Sequence, residues 1–407
     1  MMGFFKNNVV VINLMITILS VSPAFALGED NRNLLLIGAM SLSPFFFIRY
    51  PVIIPHIDIP LTLLGTMMIG FPFALHADTL RWSTVLYSCM FFMYFMAFAR
   101  VISLNKYSIC DFVKLVKGLI YAYCIVLIIQ QFCVLFGLPI FNVSNYTPMD
   151  PWKLNSLMSE PSHSARIIPI LMFFFILLRE KEIGAKYLFK ERFQEDRLVW
   201  ISFLWATLTM GSATAYIFSL IIVLFIFPSL KQAKTIIVML VGAIAVIVMA
   251  GKSQNFVRAY KFGMAVLTLD EHKVIKADGS GAHRIVQSFR GAKAVGLHEV
   301  DDWFGHGVDA DGLLIPNWQS RDLSGGAGLF CLWVNHGFLV CALWWCFSFW
   351  IVFLKETPFI SIYIWILSVF IMGGLNNQII WMVLALSFCY KLLAYNCDSN
   401  QRKIINR

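Results

Sequence analysis

Long stretches of this sequence run for eighteen residues or more without an Asp, Glu, Lys or Arg, among them 9–27, 82–99, 118–149, 198–230, 323–354 and 357–390. A helix that crosses the hydrocarbon core of a bilayer needs about 20 mostly apolar residues. In lipid, only helices and closed barrels satisfy every backbone N–H and C=O internally. Runs of this length therefore predict an all-α, polytopic integral membrane protein. Composition agrees, since 59% of the 407 residues are hydrophobic and only 14% charged, against about 25% charged in soluble domains.

Several function classes fall away at once. No GxxxxGK[ST] loop is present, which argues against ATP-driven transport by this chain. Outside the apolar runs no segment exceeds roughly 75 residues, too short for the paired α/β domains that bind nucleotide sugars. The net charge of +9 is of the kind membrane proteins carry as cytoplasmic Lys and Arg, so no nucleic-acid partner is expected.

Hydropathy places about twelve helices, near 9–27, 33–48, 59–76, 82–99, 115–137, 165–179, 198–211, 213–230, 235–251, 326–354, 358–372 and 379–395. The 198–230 and 357–390 runs are long for one crossing and short for two. Each breaks at small or polar residues, Gly211-Ser212 and Gly373-Gly374-Leu375-Asn376-Asn377, which predicts hairpins. Lys6, the apolar 9–21 stretch and Ala24-Phe25-Ala26 have the layout of a signal peptide. The apolar run is long and many spans follow, so an uncleaved first helix is expected, with cleavage as the alternative.

With both termini in the cytoplasm, 19 of the 32 Lys and Arg fall on the inner side and four in short outer loops, as the positive-inside rule requires. The other nine lie in a long 252–325 loop, which this topology puts outside. Three regions result: residues 1–251 with nine helices and an outer loop at 138–166, the 252–325 loop, and 326–407 with three helices and a cytoplasmic tail. All nine cysteines fall in helices or inner segments, so no disulfides are expected outside. Six of the eight histidines lie outside, and His336 sits near the outer end of its helix. Chemistry is therefore expected at the outer face.

Two outer segments carry candidate groups. The first, Ser159-Glu160-Pro161-Ser162-His163-Ser164-Ala165-Arg166, presents a carboxylate, an imidazole and a guanidinium where a helix begins. Pro161 suits a first turn, Ser159 or Ser162 could cap it, and such an end favours anions. The plain alternative is a capped helix with a snorkelling Arg166. In the second, Arg284 and Arg290 lie six apart on a predicted short helix, with Arg258 upstream. Arginine grips phosphate through paired charge-assisted hydrogen bonds, although a solvated helix meeting anionic headgroups has the same composition. Further on, Trp303-Phe304-Gly305-His306-Gly307 sets aromatics beside a Gly-x-Gly turn. His283, His298 and His306 lack metal spacing, so no metal is expected.

The architecture resembles that of the O-antigen and capsule polysaccharide polymerases and, more distantly, the O-antigen ligases. The likeness rests on about a dozen helices, the Ser-Glu-Pro-Ser-His-Ser-Ala loop ending, and a large late outer loop holding Ser280-Gly-Ala-His-Arg284 and Gly305-His306-Gly307. Asn335-His336-Gly337 and the 373–377 break complete it. The resemblance implies an enzyme of the bacterial inner membrane, working at the periplasmic face without a cofactor. It would move a growing glycan from polyprenyl pyrophosphate onto a lipid-linked repeat unit, with a chain-length regulator and a flippase as partners. In that reading Arg284 and Arg290 hold the pyrophosphate and Arg258 and Arg166 assist. Glu160 or His163 is the general base, and His306 stands in reserve. The alternatives are an O-antigen ligase, with a lipid A-core acceptor, and a secondary transporter or lipid-linked glycan flippase. No similarity between halves and little intramembrane charge speak against transport.

Overall fold

The computed structural model describes residues 8–23, 33–77, 81–142, 151–210, 212–226, 254–277, 279–315 and 330–405. Among these no strand occurs, and the chain is all-α. Its first nine helices are α1 (Asn8–Ser20), α2 (Leu34–Ser41), α3 (Ser43–Arg49), α4 (Pro55–Leu75), α5 (Trp82–Leu104), α6 (Ile109–Leu135), α7 (Pro161–Ile183), α8 (Phe189–Thr209) and α9 (Ala213–Ile226). After these come α10 (Gln254–Leu267), α11 (Glu271–Ala277), α12 (Gly279–Ala294), α13 (Val300–Phe304) and α14 (Asp311–Leu314). Last are α15 (Cys331–Val352), α16 (Pro358–Trp365) with a π-helical turn (Ile366–Phe370), and α17 (Gln378–Ile405).

Among the described residues six helices are long and apolar enough to cross a membrane: α4, α5, α6, α7, α15 and the Gln378–Cys397 part of α17. Shorter apolar helices cover Asn8–Ser20, Leu34–Arg49, Thr214–Val223 and Pro358–Phe370. Every described segment for which hydropathy predicts a helix holds one; the predicted 235–251 helix lies outside the described residues. The predicted 33–48 helix is two, because Pro44 starts a fresh first turn after Leu42 and cannot continue the preceding ladder. Helix α6 begins six residues early, on a capping box in which the Ser108 side chain and Asp111 serve each other's backbone N–H. Helix α8 also starts early and takes in a charged stretch. Glu195 and Asp196 from that stretch meet Arg179 of α7 at 3.1 and 3.3 Å.

The middle of the bundle is built on α7 and α17. Residues 164–178 of α7 and 379–386 of α17 are buried without interruption, as expected of helices that are apolar all round. Packed rings fill the space between them and α5 and α15: Trp381 meets Phe91, Phe92, Phe95 and Trp344 with centroids 5.3–5.8 Å apart. Hydrogen bonds define the two ends. Asn8, Tyr50 and Asn105 meet at one, so α1 and α5 run in opposite directions. At the other, Ser22 N–H donates to the Leu157 carbonyl and Asn33 to Gln378. The described residues next to α4 and α5 (76–77 and 81), 136–142 and 151–160, the 295–315 loop and the 371–377 break gather at this second end.

One ion pair is sealed near the first end. Arg100 on α5 reaches Asp58 on α4 through two parallel bonds of 2.8 Å, and both side chains are about one-tenth exposed. Asp58 also accepts from Ile54 N–H at 2.7 Å, closing the first turn of α4, while the guanidinium lies 4.7 Å from the Phe47 ring centre on α3. Three helices thus share one charge pair. Removing either partner strands a charge in an apolar setting, so Asp58→Ala or Arg100→Ala is expected to cost roughly 3–5 kcal/mol. Replacing both by apolar residues should restore part of that loss, as read from thermal unfolding in detergent.

Candidate functional site

The N-terminus of α7 carries the first predicted group. Glu160 occupies the N-cap position, but its side chain does not cap; its Oε2 accepts from Ser162 Oγ at 3.2 Å and lies 3.9 Å from His163 Nε2. Both side chains are partly open to solvent. Arg166, almost one turn deeper, is 3% exposed, with Nη1 2.9 Å from Met372 Sδ. Two separate sequence signals, the Glu-Pro-Ser segment and the 373–377 break, therefore adjoin in space. A buried cation beneath a carboxylate–imidazole pair suits an acceptor whose proton is taken near the negative charge of a leaving group.

The loop leading to Glu160 is tied by amides and hydroxyls that sequence reading did not single out. Gln130 of α6 accepts from Ser156 N–H at 2.9 Å and donates to the Phe141 carbonyl at 3.0 Å. Asn155 donates to the carbonyls of Asn142 and Met158, both at 2.6 Å. Ser156 Oγ donates to the Tyr123 carbonyl, and Ser164 Oγ to that of Asn155. Buried polar groups of this kind are costly unless paired; paired, they hold the loop in one shape. An Asn- and Gln-rich stretch beside a long apolar helix was the available signal.

The late loop meets α15 backbone to backbone. Gly337 interrupts that helix at φ 83°, ψ 166°, a region open essentially to glycine alone. A Cβ on Gly337 would lie 2.3 Å from the Trp303 carbonyl oxygen, and one on Gly305 2.5 Å from that of Asn335. Beside the contact, His306 N–H donates at 2.8 Å to the Val334 carbonyl. Asn335 exchanges two hydrogen bonds of 2.8 Å with Asp311, and Trp333 Nε1 donates to the Asp302 carbonyl. The Gly305-His306-Gly307 and Asn335-His336-Gly337 segments thus form one junction. Arg81 and Thr84 at the start of α5 reach Asp309, at 3.1 and 3.2 Å, and His76 reaches Asp301.

Both junction histidines carry a buried Nδ1 with no hydrogen-bond partner among the described residues. Beside His306, burial pushes the Asp302 carboxyl up. The N–H groups of Glu299 and His298, with His306 itself, outweigh that and hold it below the usual carboxylate range. Asp311 goes the other way. Burial raises its carboxyl and Asp309 adds to the rise, against the hydrogen bonds from Asn335 and Cys331.

The predicted phosphate-gripping arginines belong to a small unit of α10, α11 and α12 with its own core of Ala265, Val274, Ala282 and Val286. Arg290 Nε and Lys293 Nζ both contact Glu271, at 3.2 and 3.4 Å, a pairing across about twenty residues that no local pattern reveals. Arg258 and Arg284 sit on α10 and α12; their side chains lie outside the described residues. Among the described residues no three His, Cys, Asp or Glu side chains are grouped as metal ligands. No family model, curated protein or solved structure matches this chain.

Two tests follow from the junction. Gly337→Ala should cost of order 1–3 kcal/mol from its backbone conformation alone, and Gly305→Ala should also destabilise by steric overlap. Gly38→Ala, in open space on α2, should be neutral or gain up to about 1 kcal/mol; melting points in detergent compare the three. The folded protein holds a proton on Asp311 to higher pH than the unfolded chain does. That contribution to stability is therefore present at low pH and lost as pH rises from the ordinary carboxylate range through the raised value. Asp311→Asn should flatten this part of the stability–pH profile.

Proposed function

We propose that this chain is a polysaccharide polymerase of the bacterial inner membrane. It takes a growing glycan from polyprenyl pyrophosphate and joins it to a lipid-linked repeat unit at the periplasmic face, in O-antigen or capsule synthesis. The observation that carries this reading is the gathering of the Glu160–Arg166 segment, the 373–377 break and the Gly305–Gly337 junction at one end of an apolar bundle. With twelve spans and both termini cytoplasmic, that end is the outer one.

The donor already contains the activated bond, so neither ATP nor a nucleotide-binding domain is needed. The acceptor hydroxyl attacks the anomeric carbon. A carbon–oxygen bond to the acceptor forms as the bond to the diphosphate breaks, and the bonding pair departs with the diphosphate. Glu160 or His163 takes the hydroxyl proton, with His306 in reserve; an imidazole has a suitable pKa without help. Arg284 and Arg290 receive the diphosphate, and Arg258 and Arg166 assist. Glu271 holds Arg290 and Lys293 beside one another, and cations of this kind make strong charge-assisted hydrogen bonds to phosphate oxygens.

Deleting the gene in the producing bacterium should leave surface glycan as single repeat units. Loss of all glycan from the lipid A core would instead indicate a ligase, and an unchanged ladder a transporter. Arg284→Ala and Arg290→Ala should each abolish chain extension with the protein still in the membrane. Normal long ladders from both would overturn the diphosphate assignment, and full activity of Glu160→Gln would move the base to a histidine.

A further inference from the structure

Helix α10 has two apolar faces, and its own unit covers only one. Phe262, Ala265 and Val266 turn inward onto Val274, Ala282 and Val286. Tyr260, Met264 and Leu267, at i, i+4 and i+7, form a second stripe and are 63, 51 and 77% exposed, with Leu269 beyond the helix end at 72%. Helical spacing puts the three on one side. A run of large apolar groups this open on a well-packed unit calls for a cover.

The surroundings identify that cover. The helix contains Arg258 and Lys261 and no acidic residue, and Lys261 is exposed. The apolar run 235–251 ends in the sequence three residues before the helix starts, and α10 packs against the apolar helix α9. Tyr260, with an apolar ring and a polar hydroxyl, is a residue type enriched where membrane meets water. An apolar stripe with a lysine beside it, on a helix packed against an apolar helix, is how a helix lies in the plane of a membrane surface, its apolar face sunk roughly 5–10 Å into the headgroup–acyl boundary.

We infer that α10 is an interfacial helix whose Tyr260–Met264–Leu267 stripe is covered by bilayer lipid, so that the α10–α12 unit rests on the membrane surface. Lipid contact at this helix does not depend on which reaction the chain carries out. Acidic headgroups meet Lys261, which is exposed beside the stripe.

The test uses the full-length protein in vesicles of phosphatidylethanolamine and phosphatidylglycerol. The photoreactive residue p-benzoylphenylalanine replaces Met264 or Leu267, or, for comparison, the exposed Lys273 of α11. Illumination followed by mass spectrometry should find lipid adducts at 264 and 267 several-fold above those at 273. Thermal melting in detergent confirms that each variant is folded. Adducts no more frequent at 264 and 267 than at 273 would overturn the inference. So would a stripe that crosslinks mainly to a second copy of the chain.

Discussion

Where Gly305 meets Gly337 there is no room for a side chain on either, and the late loop lies directly on a broken helix. The arrangement answers a problem common to all apolar bundles. A helix that stops inside or at the edge of a low-dielectric region leaves N–H and C=O groups that must find partners in the protein. Here His306 N–H takes up the Val334 carbonyl, Asn335 and Asp311 satisfy each other, and Trp333 reaches the Asp302 carbonyl. The late loop takes its position from that contact, and Asp309 in turn meets Arg81 and Thr84 at the start of α5.

Asp58 and Arg100 neutralise each other inside the bundle; amides under the Glu160 loop are shared among several carbonyls. Glu160 and His163 remain partly open to solvent. Arg166 is deeper, against a methionine. Helix α7, buried without interruption over residues 164–178, carries this graded series from open carboxylate to buried guanidinium at its N-terminal end.

Much of the architecture was legible in the sequence because lipid imposes a simple rule on helix length and charge. The helices predicted from hydropathy in the described segments recur, as does the interruption at 373–377. Misplaced starts trace to local chemistry that hydropathy ignores: the Ser108–Asp111 capping box drew α6 outward, and Arg179 drew the acidic start of α8 into register. At the candidate site the sequence marked residues without showing their grouping. Gly-x-Gly was the least specific signal in the chain, yet its partner lies some thirty residues away at a second marked segment. The Arg290–Glu271 pair is another case, since its members sit on different helices.

The run of uncharged residues, the distribution of Lys and Arg and the position of the prolines determined that this chain is an all-helical membrane protein. Those properties are local, and each can be summed along the chain. Which polar groups neutralise one another, which glycines touch, and which apolar stripe is left uncovered on α10 were decided only in three dimensions. Such pairings depend on distances of a few ångströms between segments far apart in sequence, where one Cβ is enough to forbid a contact and one carbonyl enough to require it.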